Sequence, residues 1–227
     1  IKSNTNNTII MKKTIIAAIA VALCGLTASA QNHLTVKVGP TFTHPTTNSD
    51  ILKFKTGAGV QFGASYSFDL GHHLFFEPGL AVAYNTYSPN DYFKSIVIGD
   101  MVPELVNFKF KEWDMNVPLH IGYTIPVGSS FGIRIFTGPQ FTIGLSNKFQ
   151  TKAYIGGNPI TSDIDAYSKE FGYNRFIFHW NVGAGFALPY NLKLDFTASL
   201  ACTNLVKDGE GASIKRHTYA VTLGYSF

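Results

Sequence analysis

The sequence predicts an all-β fold, an eight-stranded antiparallel up-and-down barrel that crosses a membrane, and three observations support it. From Arg216 to Phe227, apolar or aromatic residues at every second position alternate with small and polar ones, as in a strand whose two faces meet different environments. The alternating segments run for about a dozen residues, whereas a tilted membrane-spanning strand needs roughly 9 to 11 and a soluble strand about 5 or 6. Long and short connections also alternate, which is typical of barrels in outer membranes.

The start of the chain predicts export through a cleaved signal peptide. A Met-Lys-Lys start at residue 11 precedes the apolar run of residues 14–26, and an Ala-x-Ala motif ends at Ala30. We expect residues 11–30 to be a signal peptide that is cut between Ala30 and Gln31. An uncleaved helical anchor is the alternative, but the apolar run is too short to cross about 30 Å as a helix.

Residues 1–10 are interpreted as a non-native leader upstream of the true start, and residues 31–227 as the barrel domain. A lipoprotein signal at Cys24 is a second possibility for the leader, although the bulky Leu23 precedes that cysteine instead of a small residue. The other cysteine is Cys202, so the mature chain is expected to contain no internal disulfide.

Composition and charge exclude several classes of protein. Hydrophobic residues make up 45% of the chain and charged residues 14%, which fits neither a disordered chain nor a helical membrane protein. Removal of residues 1–30 leaves fifteen basic and fourteen acidic residues. The mature protein is therefore close to neutral, and the basic isoelectric point gives no argument for a nucleic-acid partner.

Four strands are predicted in the first half of the mature chain. Residues 34–43 alternate clearly and end at a run of turn-forming residues; residues 56–70 alternate in the same way. A tight Gly-His-His turn leads into the third strand, residues 74–87. The fourth, residues 112–127, shows the clearest alternation, with apolar residues on one face and Asp, Asn, His and Gly on the other.

Four more strands follow in the second half. A Gly-Ser-Ser turn leads into residues 131–149, and residues 175–188 carry large apolar residues on one face and small or polar ones on the other. A Pro-Tyr-Asn turn leads into residues 192–204, and residues 216–227 complete the set. The even number returns the C-terminus to the end at which the mature chain begins.

The longer connections are expected to be loops outside the membrane. They are Pro45 to Lys55, Ser88 to Lys111, Gln150 to Asn174 and Leu205 to Lys215. Apolar parts of the second are expected to extend the flanking strands. Pro78, Pro118 and Pro139 are the main evidence against a closed barrel, because proline lacks the N–H that a ladder requires and a soluble sandwich could place it on an edge strand. We expect bulges or strand ends near the rims and local breaks at these residues.

Short motifs carry a family resemblance. They are Val38-Gly39, Glu77-Pro78, Val117-Pro118-Leu119, Thr137-Gly138-Pro139, Gly183-Ala184-Gly185 and Leu223-Gly224-Tyr225-Ser226-Phe227. Over residues 32–227 the chain resembles the outer-membrane β-barrel domain family of Bacteroidetes-type bacteria, often labelled PorT-like. The resemblance implies a Gram-negative outer-membrane location. It also implies that the terminal Phe227 is a signal to the outer-membrane assembly machinery, and it supplies no catalytic residues.

The alternation also predicts which polar residues face the barrel interior. They are Lys37, Gln61, Glu77, Asp114, His120, Arg134, His179, Lys193 and Asp195. Acids and bases together predict an ion-paired network, and an eight-stranded barrel is only wide enough to be filled by its side chains. A narrow proton or ion path through His120 and His179 is the alternative.

Aromatic residues on the outward face are expected to form girdles at the membrane interfaces. They are Trp113, Tyr123, Trp180, Tyr190, Tyr219 and Tyr225. His72 and His73 lack a third ligand, so no metal site is predicted. Gly57-x-Gly59 and Gly183-x-Gly185 do not open helices, so we expect no nucleotide and no other cofactor, and glycine is expected to make room inside the barrel.

These observations predict a non-enzymatic integral outer-membrane protein with a side-chain-filled lumen, which serves envelope structure or surface interaction through its external loops. The expected partners are outer-membrane lipid, the assembly machinery and an unidentified envelope or extracellular partner, with no nucleic acid. Three different functions remain open: a small pore, a lipid-modifying barrel enzyme that uses Ser and His on its wall, and an accessory protein of secretion. An isolated soluble barrel is also compatible with the alternation.

Overall fold

The computed structural model describes residues 34–49, 53–90, 106–128, 130–155, 158–168, 172–206 and 213–227. The predicted leader, the signal peptide and its cleavage site at Ala30 and Gln31 lie outside the described residues. The described strands are β1 (Leu34–Thr47), β2 (Phe54–Lys55), β3 (Gly57–Tyr66), β4 (Phe68–Gly71), β5 (Leu74–Pro89), β6 (Val106–Pro126), β7 (Gly132–Ile155), β8 (Asn158–Asp165), β9 (Phe176–Leu188), β10 (Leu192–Ala201) and β11 (Ile214–Ser226). Among these residues, no helix is long and apolar enough to cross a membrane.

Eight strands close into an antiparallel ring. The order around it is β1, β3 with β4, β5, β6, β7, β9, β10 and β11, and β11 pairs with β1. Ser67 separates β3 from β4, and both pair with β5, so they act as one barrel strand. The predicted eight-stranded antiparallel barrel is confirmed.

The two ends of the barrel differ in their connections. At the end that we call the turn end, His72 and His73 adopt φ angles of 52° and 66°, and Tyr190 and Asn191 adopt 61° and 62°. Left-handed residues at the centre of a tight turn match the twist of the flanking strands. The chain also ends here, where Phe227 N donates to Leu34 O at 2.8 Å. The opposite end, which we call the loop end, carries the longer connections.

One long loop of the sequence prediction is wrong. Between Gln150 and Asn174, β7 continues to Ile155, and β8 runs back along it from Asn158 to Asp165. The outward face of this hairpin is polar, so the apolar alternation that marks a lipid-facing strand is missing. The other predicted loops are shortened: β1 continues to Thr47, β6 already begins at Val106 and β11 begins at Ile214. The expected extension of a strand into the second loop is thus confirmed for β6.

The prolines interrupt the ladders without ending or bulging the strands. Pairing between β5 and β6 passes from Pro78–Leu119 to Ala81–Asn116 in an unchanged register. Pairing between β6 and β7 skips the positions around Pro139 in the same way. Local breaks are therefore present, but the expectation of bulges or strand ends near the rims is wrong, because each proline lies inside a continuous strand.

A bulge lies away from the three prolines, in β7. Trp113 pairs with Ser146, while the next residue of β6, Asp114, pairs with Gly144, so Leu145 is the extra residue. Below Leu145 the even-numbered residues of β7 face the lumen, and above it the odd-numbered ones do.

A three-stranded extension rises from the loop end. We call it the blade, and it comprises residues 106–112 of β6, residues 146–155 of β7, and β8. Since an antiparallel strand rises about 3.4 Å per residue, the 24 residues of β7 span about 80 Å. Even at a tilt of about 40° this is roughly twice the thickness of a hydrocarbon core, so the blade extends beyond the hydrocarbon core.

Candidate functional site: the filled lumen and the blade

The lumen near the turn end contains an ion cluster, which we call the lower cluster. Lys37 Nζ lies 2.5 Å from Glu77 Oε1 and 3.0 Å from Asp195 Oδ2, and Arg134 Nη2 lies 2.8 Å from Glu77 Oε2. Lys193 Nζ lies 3.7 Å from the same Glu77 oxygen. Three cations thus surround two carboxylates, and the side chains of Lys37 and Lys193 keep 17% and 14% of their surface exposed.

Above the lower cluster, polar side chains link the two lumen histidines. Asn181 Nδ2 donates to His120 Nε2 and to Gln140 Oε1, both at 2.9 Å. Gln140 Nε2 donates to Thr142 Oγ1, which lies 3.2 Å from His179 Nδ1. Two amide side chains therefore stand between the imidazoles, and each amide nitrogen acts as a fixed donor.

These residues line a cavity of about 80 Å³ between the ion clusters. A water molecule needs at least about 10 to 15 Å³ of such volume and two to four polar partners, so the cavity has room for several waters. Glycine makes room in the same layer, because a Cβ at Gly183 would lie 2.3 Å from the ring of Phe136. The lumen is therefore tightly packed beside Gly183 and Phe136, and at its centre it has room for water.

A second ion cluster, which we call the upper cluster, lies toward the loop end. The Arg216 guanidinium pairs with Glu112 and, through Nη2 at 3.2 Å, with Asp114 Oδ2. Asn147 Nδ2 donates to Glu112 at 3.0 Å, and Asn85 Nδ2 donates to Asp114 at 3.0 Å. None of the three charged side chains exposes more than 2% of its surface.

An apolar layer, which we call the aromatic cap, closes the lumen above the upper cluster. Its buried residues are Phe54, Tyr87, Phe110, Ala166, Tyr173, Ile177, Ala201, Leu205 and Ile214, with Phe149 packed against them. Phe110 is at its centre: its ring lies 4.8 Å from that of Tyr87, 4.8 Å from that of Phe149 and 5.8 Å from that of Tyr173. Such ring pairs each contribute about 0.5 to 1.5 kcal/mol beyond their buried area.

The structure places all nine residues of the predicted lumen network inside the barrel, but in separate groups. Lys37, Glu77, Arg134, Lys193 and Asp195 form the lower cluster; Asp114 belongs to the upper one; Gln61, His120 and His179 line the central cavity. The sequence prediction missed Glu112 and Arg216. Glu112 is two positions before Asp114, and Arg216 is two positions before Thr218, so the alternation places both on the inward face. The sequence prediction also missed the aromatic cap, because the alternation of apolar and polar residues does not distinguish cap residues from other residues of the strands.

The six predicted girdle residues all lie on the outer face, each with at least 41% of its surface exposed. Tyr123, Tyr190 and Tyr225 lie near the turn end, while Trp113 and Trp180 lie toward the loop end. Tyr123 is ten positions after Trp113, which is about 25 Å of height at a tilt of about 40°. This matches the outward apolar band of outer-membrane barrels.

The remaining residues singled out in the sequence, His72, His73 and Phe227, lie at the turn end. His72 and His73 form the turn between β4 and β5, and the His73 ring lies 6.1 Å from that of Tyr123. Within the described residues, no group of three or more His, Cys, Asp and Glu side chains is arranged to hold a metal ion. Phe227 is 60% exposed at the turn end.

Comparison with known proteins identifies a family model. Residues 16–227 match the model described as outer membrane protein beta-barrel domain. No curated protein matches the chain in sequence.

Solved structures of outer-membrane barrels are similar to the chain at low identity. Neisserial surface protein A is 13% identical, over 86% of this chain and 97% of its own, with a TM-score of 0.46. The outer membrane protein OprG from Pseudomonas aeruginosa is 10% identical, over 86% and 96%, with a TM-score of 0.45. The attachment invasion locus protein Ail of Yersinia pestis is 12% identical, over 87% and 100%, with a TM-score of 0.44.

Proposed function

The chain belongs to the outer membrane protein beta-barrel domain family and lies in the bacterial outer membrane, and from this premise we propose that it is a non-conducting, non-enzymatic barrel that serves envelope structure or surface interaction through its blade. Short turns face the periplasm and long connections face outward in such barrels, so the turn end is periplasmic and the loop end extracellular. The observation that carries the proposal is the filled lumen.

Three layers support a closed lumen. An ion crossing from the turn end meets the lower cluster, then the upper cluster, then the aromatic cap, and each layer is built from side chains contributed by several strands. Opening the path means separating buried ion pairs, and a buried charge that loses its partner costs about 3 to 5 kcal/mol. A lumen of this kind stabilises the barrel, and partner binding then falls to the external part of the protein.

The blade supports an external role. Beyond the barrel, β8 pairs with β7 and, among the described strands, with no other. Ile160 and Ile164 on this strand are 55% and 42% exposed. An open strand edge with exposed apolar residues is a common docking element for a partner chain.

Single-channel recording tests the filled lumen. Residues 31–227 are refolded and inserted in a planar bilayer, and a fluorescent label on Cys202, which is exposed at the end of β10, counts the inserted molecules. We expect no discrete openings from labelled bilayers. Stable openings of uniform size would overturn the proposal and favour the small pore.

A role in secretion and a lipid-modifying activity have separate tests. The PorT-like attribution implies an accessory role in secretion, which a deletion strain with unchanged secretion would remove. The lipid-modifying enzyme would convert radiolabelled lipid A or phospholipid. We expect no product, because His120 and His179 lie inside the barrel, hydrogen-bonded to Asn181 and Thr142 and away from the lipid face.

A further inference from the structure

The outward face of the blade concentrates positive charge. Residues directly opposite each other on antiparallel strands share a face, and Lys111 is opposite Lys148, Lys109 is opposite Gln150, and Asn107 is opposite Lys152. Lys55 on β2 continues the same face beside Ser88 of β5. Five lysines thus lie on one surface of a protein whose mature chain is close to neutral.

These lysines line or adjoin a groove of about 440 Å³. Its lining includes Lys55, Lys109, Lys111 and Lys152 together with Asn107, Gln150 and Tyr154, and none of the described residues that line it is acidic. The described acids on the same face are Asp163 and Asp165 on β8. Asp163 lies 3.9 Å from Lys148 Nζ and accepts from Gln150 Nε2 at 2.9 Å. Among the described residues, the four lysines of β6 and β7 on this face exceed its two acids by two charges.

The pairing of Lys111 with Lys148 is unfavourable on its own. Like charges directly opposite each other destabilise a sheet, because their Cβ atoms are only about 4.5 to 5.5 Å apart. A bound anion would convert that repulsion into a shared attraction. Two neighbouring phosphates would suit the groove better than one small ion, because the lysines are spread over successive rows of the strands.

The position of the lysines relative to the membrane interface indicates the source of the anion. On β6, Trp113 belongs to the outer girdle; Lys111 and Lys109 follow on the same face, at about 7 Å and 14 Å farther along the strand. Tyr84, the partner of Trp113, packs its ring 5.1 Å from the indole. Charged lipid headgroups begin directly outside such a girdle, so the lysines lie at headgroup level.

We propose that the outward face of the blade binds the phosphorylated headgroup of an outer-leaflet glycolipid, with Lys109 and Lys111 at the centre of the site. This inference rests on the proposed envelope role and names its ligand class. The blade then acts as an electrostatic clamp between the protein and the surrounding lipid. Soluble polyanions share the chemistry, and the experiment separates the two sources.

Lysine reactivity measures the contact directly. The protein is produced with its own leader, purified from the outer membrane of a bacterial host and reconstituted in phosphatidylcholine vesicles with or without bis-phosphorylated lipid A. An amine-acylating reagent and mass spectrometry then report each lysine. We expect the reactivity of Lys109 and Lys111 to fall about fivefold with lipid A, relative to Lys215, an exposed lysine on β11 without a lysine opposite it.

Three controls decide the outcome. The double variant Lys109→Gln/Lys111→Gln should retain less lipid A, by about fivefold for each lysine removed. Lys109→Arg/Lys111→Arg and Lys215→Gln should retain as much lipid A as the unchanged protein. Heat-modified gel mobility confirms that each variant is folded. Equal protection by dephosphorylated lipid A, or by inorganic phosphate in phosphatidylcholine vesicles, overturns the lipid site. Whether the lipid site is supported or overturned, channel recordings should show no openings. Failure of the proposed function would instead appear as channel openings.

Discussion

The lower and upper clusters solve the same problem, buried charge inside a narrow barrel, in opposite ways. The lower cluster has three cations for two carboxylates, and its two lysines are still partly exposed to solvent. The upper cluster has one cation, Arg216, for two carboxylates, and it lies beneath the aromatic cap. Counted as ionised groups, the two layers therefore have net formal charges of opposite sign.

The difference shows what each cluster depends on. A lysine of the lower cluster that loses its partner can rehydrate, because its side chain is already partly exposed. The carboxylates of the upper cluster have no such route. They depend on one guanidinium, two amide donors, the Tyr167 hydroxyl that donates to Glu112 Oε1 at 3.2 Å, and the cap that excludes water. Removing a partner should therefore cost more in the upper cluster than in the lower one.

The largest effect is expected from Arg216→Met, which leaves Glu112 and Asp114 side by side without a cation. We expect the free energy of unfolding to fall by about 4 kcal/mol, measured by urea unfolding in lipid vesicles with tryptophan fluorescence. Lys148→Met is the matched control, since its partner Asp163 is 3.9 Å away and exposed, and it should cost less than about 1 kcal/mol. A similar loss in both variants would contradict the comparison.

A smaller effect is expected from Phe110→Ala, which removes the central ring of the aromatic cap. The cavity it leaves should lower the free energy of unfolding by about 3 kcal/mol. Water should then reach the upper cluster, so amide hydrogen exchange should accelerate at residues 112–114 and stay unchanged at Glu77. Faster exchange at both clusters would show that the cap supports the whole barrel and does not shield the upper cluster alone.

The smallest of the three effects is expected from Glu77→Gln. The amide keeps the shape of the side chain but removes the charge that Lys37, Arg134 and Lys193 share. Because Asp195 remains and both lysines can turn toward water, we expect a loss of about 2 kcal/mol in unfolding free energy. A loss larger than that of Arg216→Met would mean that the lower cluster is the more tightly buried of the two.

The sequence predicted the barrel because lipid and lumen impose a period of two on every crossing strand. It predicted the lower cluster for the same reason, since Lys37 and Glu77 lie in the polar phase of long alternating segments. The cap could not be predicted: Phe110 lies in the same phase as Glu112, and alternation cannot distinguish a ring that faces lipid from one that faces folded loops. The blade was missed because Lys148, Gln150 and Lys152 are typical of both loops and strands.

The extra residue at Leu145 determines which side chains of β7 face outward in the blade. Without it, Asn147 and Phe149 would point to the exterior, while Lys148 and Lys152 would point toward the barrel mouth. A deletion of one codon here would thus reverse the faces of β7 and β8 in the blade, while Lys109 and Lys111 on β6 would keep theirs. A loss of two codons would only shorten β7. In related chains, length differences in this stretch of β7 should therefore come in even numbers wherever the lysine face is retained.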